Sequence, residues 1–138
     1  MNGLFDLEIL AADRVFYQGK CRSLTVPSTD GSYGILANHE NAIIAVAIGI
    51  GAVVEENGNR FEAVFSSGIC IIENNRVTVL VETAERPEEI DRHHAEQDAA
   101  EAEDALRNRK NISDIKRAKA KMARAAQRLR AKDRTDID

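Results

Sequence analysis

Two adjacent histidines, His93 and His94, lie between Asp91 and Asp98, giving an Asp–His pair at i, i+3 and a His–Asp pair at i, i+4. Imidazole beside carboxylate at helical spacing is the raw material of a metal site or a proton relay. Neighbouring side chains on a helix point about 100° apart, however, and no further histidine is near in sequence. The cluster reads as a solvated polar face, and no metal is expected. Cys21 and Cys70 have no metal-type spacing. Lys20 and Arg22 flank Cys21 and would favour its thiolate, but two such cysteines read as buried or half-buried thiols in a reducing compartment. His39 follows the stretch 31–38 and, with no evident partner, reads equally well as a packing residue of that loop. No Gly-rich phosphate loop, nucleophile elbow or His-Glu-x-x-His pattern is present. Without a catalytic constellation, the chain is not expected to be an enzyme acting alone.

The elements that carry these residues fall into two parts. The 138 residues have a formal charge of −4, which argues against general nucleic-acid binding. Residues 1–84 carry 5 Lys/Arg and 10 Asp/Glu, whereas residues 85–138 carry 14 and 13. All six aromatic residues (Phe5, Phe16, Tyr17, Tyr33, Phe61, Phe65) are in the first part. That contrast is a change of architecture within the chain, and it places a domain boundary at 84/85. No window of 18 apolar residues exists to span a membrane. The longest apolar run, 42–54, contains Gly49 and Gly51 and suits buried strands. The N-terminus has no basic region and Asn2 follows Met1, so neither a secretory signal nor myristoylation is expected.

The first part reads as short strands with frequent turns. Phe5, Leu7 and Ile9 alternate with Asp6 and Glu8, the period of a half-buried strand. Leu24-Thr25-Val26 ends at Pro27, and Ser28-Thr29-Asp30-Gly31 is turn chemistry. Asn57-Gly58-Asn59 and Glu73-Asn74-Asn75-Arg76 each separate two strand-like runs, two hairpin signals. An antiparallel β-sandwich of about 8–10 strands is predicted.

The second part has helical period. Pro87 suits a first helical turn, with Glu88, Glu89 and Asp91 at the positive end of the dipole. Ala95, Ala99, Ala102 and Leu106 fall on one face, and Ile115, Ala118, Met122, Ala125 and Leu129 form a heptad seam behind Ser113 as N-cap. Arg107 to Asn111 closes the first helix, so the two should pair as an antiparallel hairpin. Residues 85–106 hold 9 acids and 2 bases, and residues 107–138 hold 4 and 12, which sets an acidic helix against a basic one. An alanine methyl buries about 0.8 kcal/mol at most, while ordering each residue costs about 1–2 kcal/mol. The hairpin is therefore expected to be marginal and exchangeable, a candidate switch.

Taken in order, these pieces match a known pattern. Leu7-Glu8-Ile9-Leu10, Val15-Phe16-Tyr17-Gln18-Gly19, Gly31-Ser32-Tyr33-Gly34-Ile35-Leu36-Ala37-Asn38-His39, Ser66-Ser67-Gly68, Arg76-Val77-Thr78-Val79-Leu80 and Thr83-Ala84-Glu85-Arg86 together resemble the epsilon subunit of F-type ATP synthases (delta in mitochondria). The third stretch is like the family's G-x-x-G-I-L-P-G-H. The resemblance covers essentially the whole chain. It departs where Ala37-Asn38 replaces Pro-Gly, Glu40-Asn41 replaces Ala-Pro and Ser67 replaces glycine, which points to a divergent bacterial branch or to a rotor ring with an altered polar loop.

The resemblance implies a non-catalytic central-stalk subunit on the cytoplasmic face of a bacterial membrane, coupling ion-driven rotation to the catalytic head. The sandwich would grip the gamma subunit and rest on the ring of c subunits, with Gly31, Ser32, Gly34 and His39 in the ring-facing loop. The hairpin would alternate between a compact form and an extended form that reaches the alpha/beta head and hinders ATP hydrolysis. Arg117, Lys121, Arg124 and Arg128 fall at 0, 4, 7 and 11, a basic stripe suited to an acidic segment of the catalytic beta subunit, or simply to water or the acidic first helix. Some relatives bind ATP through an Ile/Leu-Asp-x-x-Arg-Ala motif and second-helix arginines. Here the motif is Ile90, Asp91, His94 and Ala95 with Arg124 and Arg128, histidine standing where arginine is expected and Glu101 where some carry another arginine. Each change removes attraction worth about 1.5–3 kcal/mol, so ATP binding is expected to be weak or lost and no cofactor is required. The rival readings are an autonomous nucleotide- or anion-sensing module and a structural adaptor whose hairpin never extends.

Overall fold

The computed structural model describes residues 3–108 and 111–137. The chain divides into two compact units, Met1–Arg86 and Pro87–Asp138. The first holds nine strands: β1 (Phe5–Leu10), β2 (Val15–Ser28), β3 (Gly31–Leu36), β4 (Ala42–Val46), β5 (Gly49–Glu55), β6 (Arg60–Phe65), β7 (Gly68–Glu73), β8 (Arg76–Val81) and β9 (Ala84–Glu85). They pair in the order β4-β7-β8-β1-β2-β5-β6-β9, with β3 joined to β2. All these pairs are antiparallel except β1–β8, which is parallel.

The 14-residue β2 belongs to both layers of this β-sandwich. Its first half pairs with β1, from Leu10↔Val15 to Phe5↔Cys21. Its second half pairs with β3 on one side and β5 on the other. A register shift between Cys21 and Ser23 marks the bend, as expected where a strand changes sheets. Alternate side chains then converge between the layers: Phe5, Leu7 and Ile9, with Leu24, Val26, Ile35, Val53, Phe65, Ile72, Val77 and Val79, are buried in one cluster.

Both predicted hairpins are present. Gly58 (φ 90°) turns β5 into β6, and its N–H donates to the Glu55 carbonyl at 2.9 Å. Asn74 (φ 52°) and Asn75 (φ 61°) take the two positive-φ positions that a two-residue hairpin between β7 and β8 demands. Three expectations are corrected. The stretch 31–36, read as loop, is strand β3, because Tyr33 and Ile35 alternate with exposed Ser32, Gly34 and Leu36. β2 does not end at Pro27 but runs to Ser28, whose hydroxyl donates to the Gly31 carbonyl at 2.6 Å. The run 42–54 is not uniformly buried: β4 is an edge strand and Ile43 is 74% exposed.

The thiols of Cys21 and Cys70 are buried, and burial pushes Cys70 up to about 12 and raises Cys21 as well. Lys20 and Arg22 alternate to the exposed face, where Lys20 meets Asp6 and Arg22 donates to the Glu56 carbonyl, so they do not activate Cys21.

The second unit contains a short 3-10 turn (Pro87–Glu89), α1 (Arg92–Arg107) and α2 (Ile112–Ile137). The predicted helix start at Pro87 is displaced because Asp91 is the N-cap, its carboxylate accepting the His94 N–H at 3.2 Å. Asn111, not Ser113, caps α2, accepting the Asp114 N–H at 2.9 Å. Asn108 caps the end of α1, while Arg109 and Lys110 lie outside the described residues. Ala95, Ala102, Ala118 and Ala125 are buried as the seam requires, and Ala131, which the heptad omits, is buried too.

Ser66 and Gly68 explain one motif physically. The buried Ser66 hydroxyl accepts the Thr83 N–H at 2.7 Å, fastening the β6–β7 link to the end of β8. A Cβ on Gly68 would meet the Leu80 carbonyl oxygen and the Val81 Cα, both backbone atoms that cannot yield. Gly68→Ala should therefore destabilise the sandwich by about 1–3 kcal/mol. Thermal denaturation should register a fall of at least about 5 °C; an unchanged melting temperature would show that β7 and β8 separate without cost.

Candidate functional site

Gly31, Ser32 and Gly34 are exposed on β3, while His39 lies beyond its other end. At about 3.4 Å per residue the six-residue strand separates its ends by about 17 Å, so these four residues form a flank rather than one loop tip. Among the described residues β3 pairs with β2 alone. The His39 ring is held at both nitrogens. Nδ1 lies 2.7 Å from the Glu40 carbonyl oxygen, which can only accept, so Nδ1–H donates, while Nε2 and the Tyr33 hydroxyl share a hydrogen bond of 2.9 Å. His39 is thus a packing residue of the 37–41 connection.

A second surface was not anticipated from the sequence. On the outer face of the β4-β7-β8-β1 layer the register pairs Ala45 with Ile69, Ile69 with Leu80 and Leu80 with Leu10. Leu10 in turn faces Val15. Directly paired residues point to the same face, so one apolar row crosses five strands. Val15 is 58% exposed and Ile43, one step along β4, is 74% exposed. A shallow groove of about 390 Å³ runs along Leu10, Ala11 and Leu80. The signal was available: residues 42–46 and 69–72 lack the polar alternation of a one-sided strand, so both faces of β4 and β7 had to be apolar.

In the hairpin unit, acid and base meet across the seam. Lys121 donates to Glu101 at 2.6 Å, Arg128 to Asp98 at 3.4 Å, and Arg92 pairs with Asp133. Early residues of α1 meeting late residues of α2 define an antiparallel hairpin. Of the basic stripe, Lys121 and Arg128 thus engage α1, Arg117 bonds Asp114 on its own helix at 2.9 Å, and Arg124 is half-buried. Of the nucleotide set, Ile90 and Ala95 are buried and Asp91 is spent as the cap, which holds its carboxyl below the usual range. His94 is exposed, with Nδ1 at 3.8 Å from the same Asp98 that engages Arg128. A carboxylate therefore already occupies one arginine. No group of three or more metal-ligating side chains gathers among the described residues.

Known proteins are similar to this chain along most of its length. Residues 4–87 match the family described as ATP synthase, Delta/Epsilon chain, beta-sandwich domain. An ATP synthase epsilon chain from Ruminiclostridium cellulolyticum is 36% identical over 130 residues, covering 94% of this chain and 96% of that one. One from Herpetosiphon aurantiacus is 38% identical over 123 residues, 89% of this chain and 90% of the relative. A chain in the Euglena gracilis mitochondrial ATP synthase structure (OSCP/F1/c-ring) shares the fold with a TM-score of 0.78 at 20% identity, covering 99% of this chain and 82% of that one.

The cross-helix pairs make the hairpin sensitive to medium. The Lys121 ammonium beside Glu101 holds that carboxyl below its ordinary 4.5, and Glu101 raises Lys121 above 10.5. A depressed carboxyl stabilises above its unfolded value and loses that effect as pH falls through its folded value; the raised ammonium loses its share only as pH rises beyond 10.5. Exposed pairs are also screened by salt. Protection of the α1 and α2 amides against exchange, corrected for intrinsic rates, should therefore fall below pH 4.5 and on going from about 0.05 to 1 M salt, with strand amides as internal control. Exchange indifferent to both would mean the alanine seam alone holds the helices together.

Proposed function

The chain belongs to the delta/epsilon chain family of ATP synthases, and from that premise we propose that it is a non-catalytic subunit of the rotor in an F-type ATP synthase. The sandwich docks on the gamma subunit through the apolar row of Leu10, Val15, Ala45, Ile69 and Leu80 with neighbouring Ile43. This row carries the reading: apolar side chains held outward across five strands gain free energy only when a partner covers them. The β3 flank, with Gly31, Ser32, Gly34 and the His39 end, lies along the ring of c subunits. No described helix is long and apolar enough to cross a membrane, so membrane association comes through the complex, on the cytoplasmic side of a bacterial membrane.

The hairpin unit regulates. Its seam is built of alanines, and its ion pairs can be exchanged for others, so α2 can leave α1 and offer Arg117, Lys121, Arg124 and Arg128 to an acidic segment of the beta subunit in the catalytic head. That extended form hinders ATP hydrolysis. ATP itself is a weak ligand or none, because Asp98 competes for Arg128 and a histidine stands at position 94.

Size-exclusion chromatography with light scattering should give a one-to-one complex with the gamma subunit that survives deletion of residues 87–138. Replacing Ile43 or Leu80 by Asp should weaken it at least about tenfold, roughly 1.4 kcal/mol. No complex at micromolar concentration would remove the rotor reading and favour the nucleotide sensor, which equilibrium dialysis with ATP would then detect. In the assembled complex the same deletion should raise ATP hydrolysis; an unchanged rate would make the hairpin a static adaptor.

A further inference from the structure

Four asparagines gather where the β3–β4 connection meets the β7–β8 turn. The Asn38 N–H donates to Asn75 Oδ1 at 2.7 Å, and the Asn74 N–H donates to Asn41 Oδ1 at 3.0 Å. Asn75 Nδ2 donates to the Leu4 carbonyl at 2.9 Å, and the Asp6 N–H donates to the Asn75 carbonyl at 3.3 Å. One amide thus ties three segments that are far apart in sequence: the start of β1, the β7–β8 turn and residues 37–41. Because an N–H donor meets its oxygen and a carbonyl meets its nitrogen, the partners fix which way the amide faces. Asn38 (φ 62°), Asn74 and Asn75 all take left-handed backbone, which asparagine tolerates better than any other side-chain-bearing residue except aspartate.

The tied segment has a particular place in the fold. It joins β3 to β4, each of which pairs with a single neighbour among the described residues. Leu36, 65% exposed, precedes it and Ile43, 74% exposed, follows it. On the segment's other side His39 is clamped between the Tyr33 hydroxyl and the Glu40 carbonyl. A five-residue connection held at Asn38, His39 and Asn41 has little freedom left, although it is exposed or half-buried throughout.

We propose that Asn75, assisted by Asn41, is a positioning residue that makes residues 37–41 a stiff strut between the β3 flank and the β4 edge, setting Ile43 for docking. The inference rests on the rotor reading above, since it takes the gamma subunit as the partner whose docking the strut serves. Its gain is preorganisation: a loop already ordered loses less freedom when a partner binds. The strut also makes the departure at Asn41 intelligible, because its side-chain oxygen accepts the Asn74 N–H, whereas Asn38 contributes its backbone N–H.

The test uses the full chain with Asn75→Gly, since glycine keeps the left-handed turn while deleting the amide. Amide exchange at Asn38 should accelerate at least about tenfold with the Glu55 and Gly58 amides unchanged, and affinity for the gamma subunit should fall about tenfold. Asn41→Ala, at an exposed position, removes only the second tie and should weaken binding about threefold; it serves should the glycine variant fail to fold. Unaltered exchange at Asn38, or faster exchange with undiminished gamma affinity, overturns the inference while leaving the rotor reading intact. Failure of the unsubstituted chain to bind gamma overturns the rotor reading itself, and the strut's role in docking with it.

Discussion

The sandwich depends on one strand serving two layers. β2 pairs with β1 before Cys21 and with β3 and β5 after it, and the bulge between Cys21 and Ser23 makes the corner. The corner brings Leu24 and Val26 over Phe5, Leu7 and Ile9, and the buried cluster follows from that juxtaposition. The residues packed into the corner are small or exact in shape. A Cβ at Gly51 would strike the Thr25 carbonyl oxygen and lie 2.5 Å from the Phe65 ring, so β5 can approach β2 only without a side chain there. Cys21 fits the inside of the bend as a small apolar group, its thiol raised by burial.

Much of this was legible because local chemistry and tertiary need agree. Alternation along Phe5, Leu7 and Ile9, and the positive-φ residues Gly58, Asn74 and Asn75, each have one structural solution, and the sheet adopts it. The stretch 31–36 was misread because two glycines and a serine imitate a loop; the ladder to β2 and the burial of Ile35, which composition does not reveal, make it a strand. The two helix starts were placed differently from the structure for a related reason: Pro87 opens a 3-10 turn and Asp91 begins α1, while Asn111 takes the cap expected of Ser113. Asp91 and Asn111 each accept a backbone N–H three residues on, and several polar residues close together offer that choice without ranking it. The meeting of an acidic with a basic helix was legible from charge, but the asparagine tie was not, since its members lie on segments joined only by the fold.

The two faces of one sheet separate buried from exposed apolar side chains. Inner positions Cys70, Ile72, Val77 and Val79 fill the core, while the outer positions of the same strands carry Ile69 and Leu80. A substitution on the outer row changes what the sheet can bind without opening a cavity, whereas one on the inner row costs the full transfer and cavity terms. Edge strand β4 carries the same division, with Val46 buried and Ile43 exposed. Strand edges that expose apolar side chains invite unspecific pairing; here β4 is only five residues long, and the tie through Asn41 fastens the approach to its first residue.

The hairpin unit follows a different rule, because alanine supplies little apolar area and the charges must do more. Glu101, Asp98 and Asp133 each meet a base of the other helix in the closed hairpin. An acidic partner that drew α2 away would replace Glu101 at Lys121 and Asp98 at Arg128, and at those two positions the Coulomb terms would largely cancel. The balance would then be set by what does not cancel: the apolar area that Ile115, Met122, Leu129 and the seam alanines bury against a new surface, set against what the same residues, already half-buried or buried, cover in the closed hairpin. A ligand shifts a two-state element only by the difference in its affinity for the two states. A seam weak in apolar contacts and rich in exchangeable ion pairs keeps that required difference small, which is the physical condition for a hairpin to act as a switch.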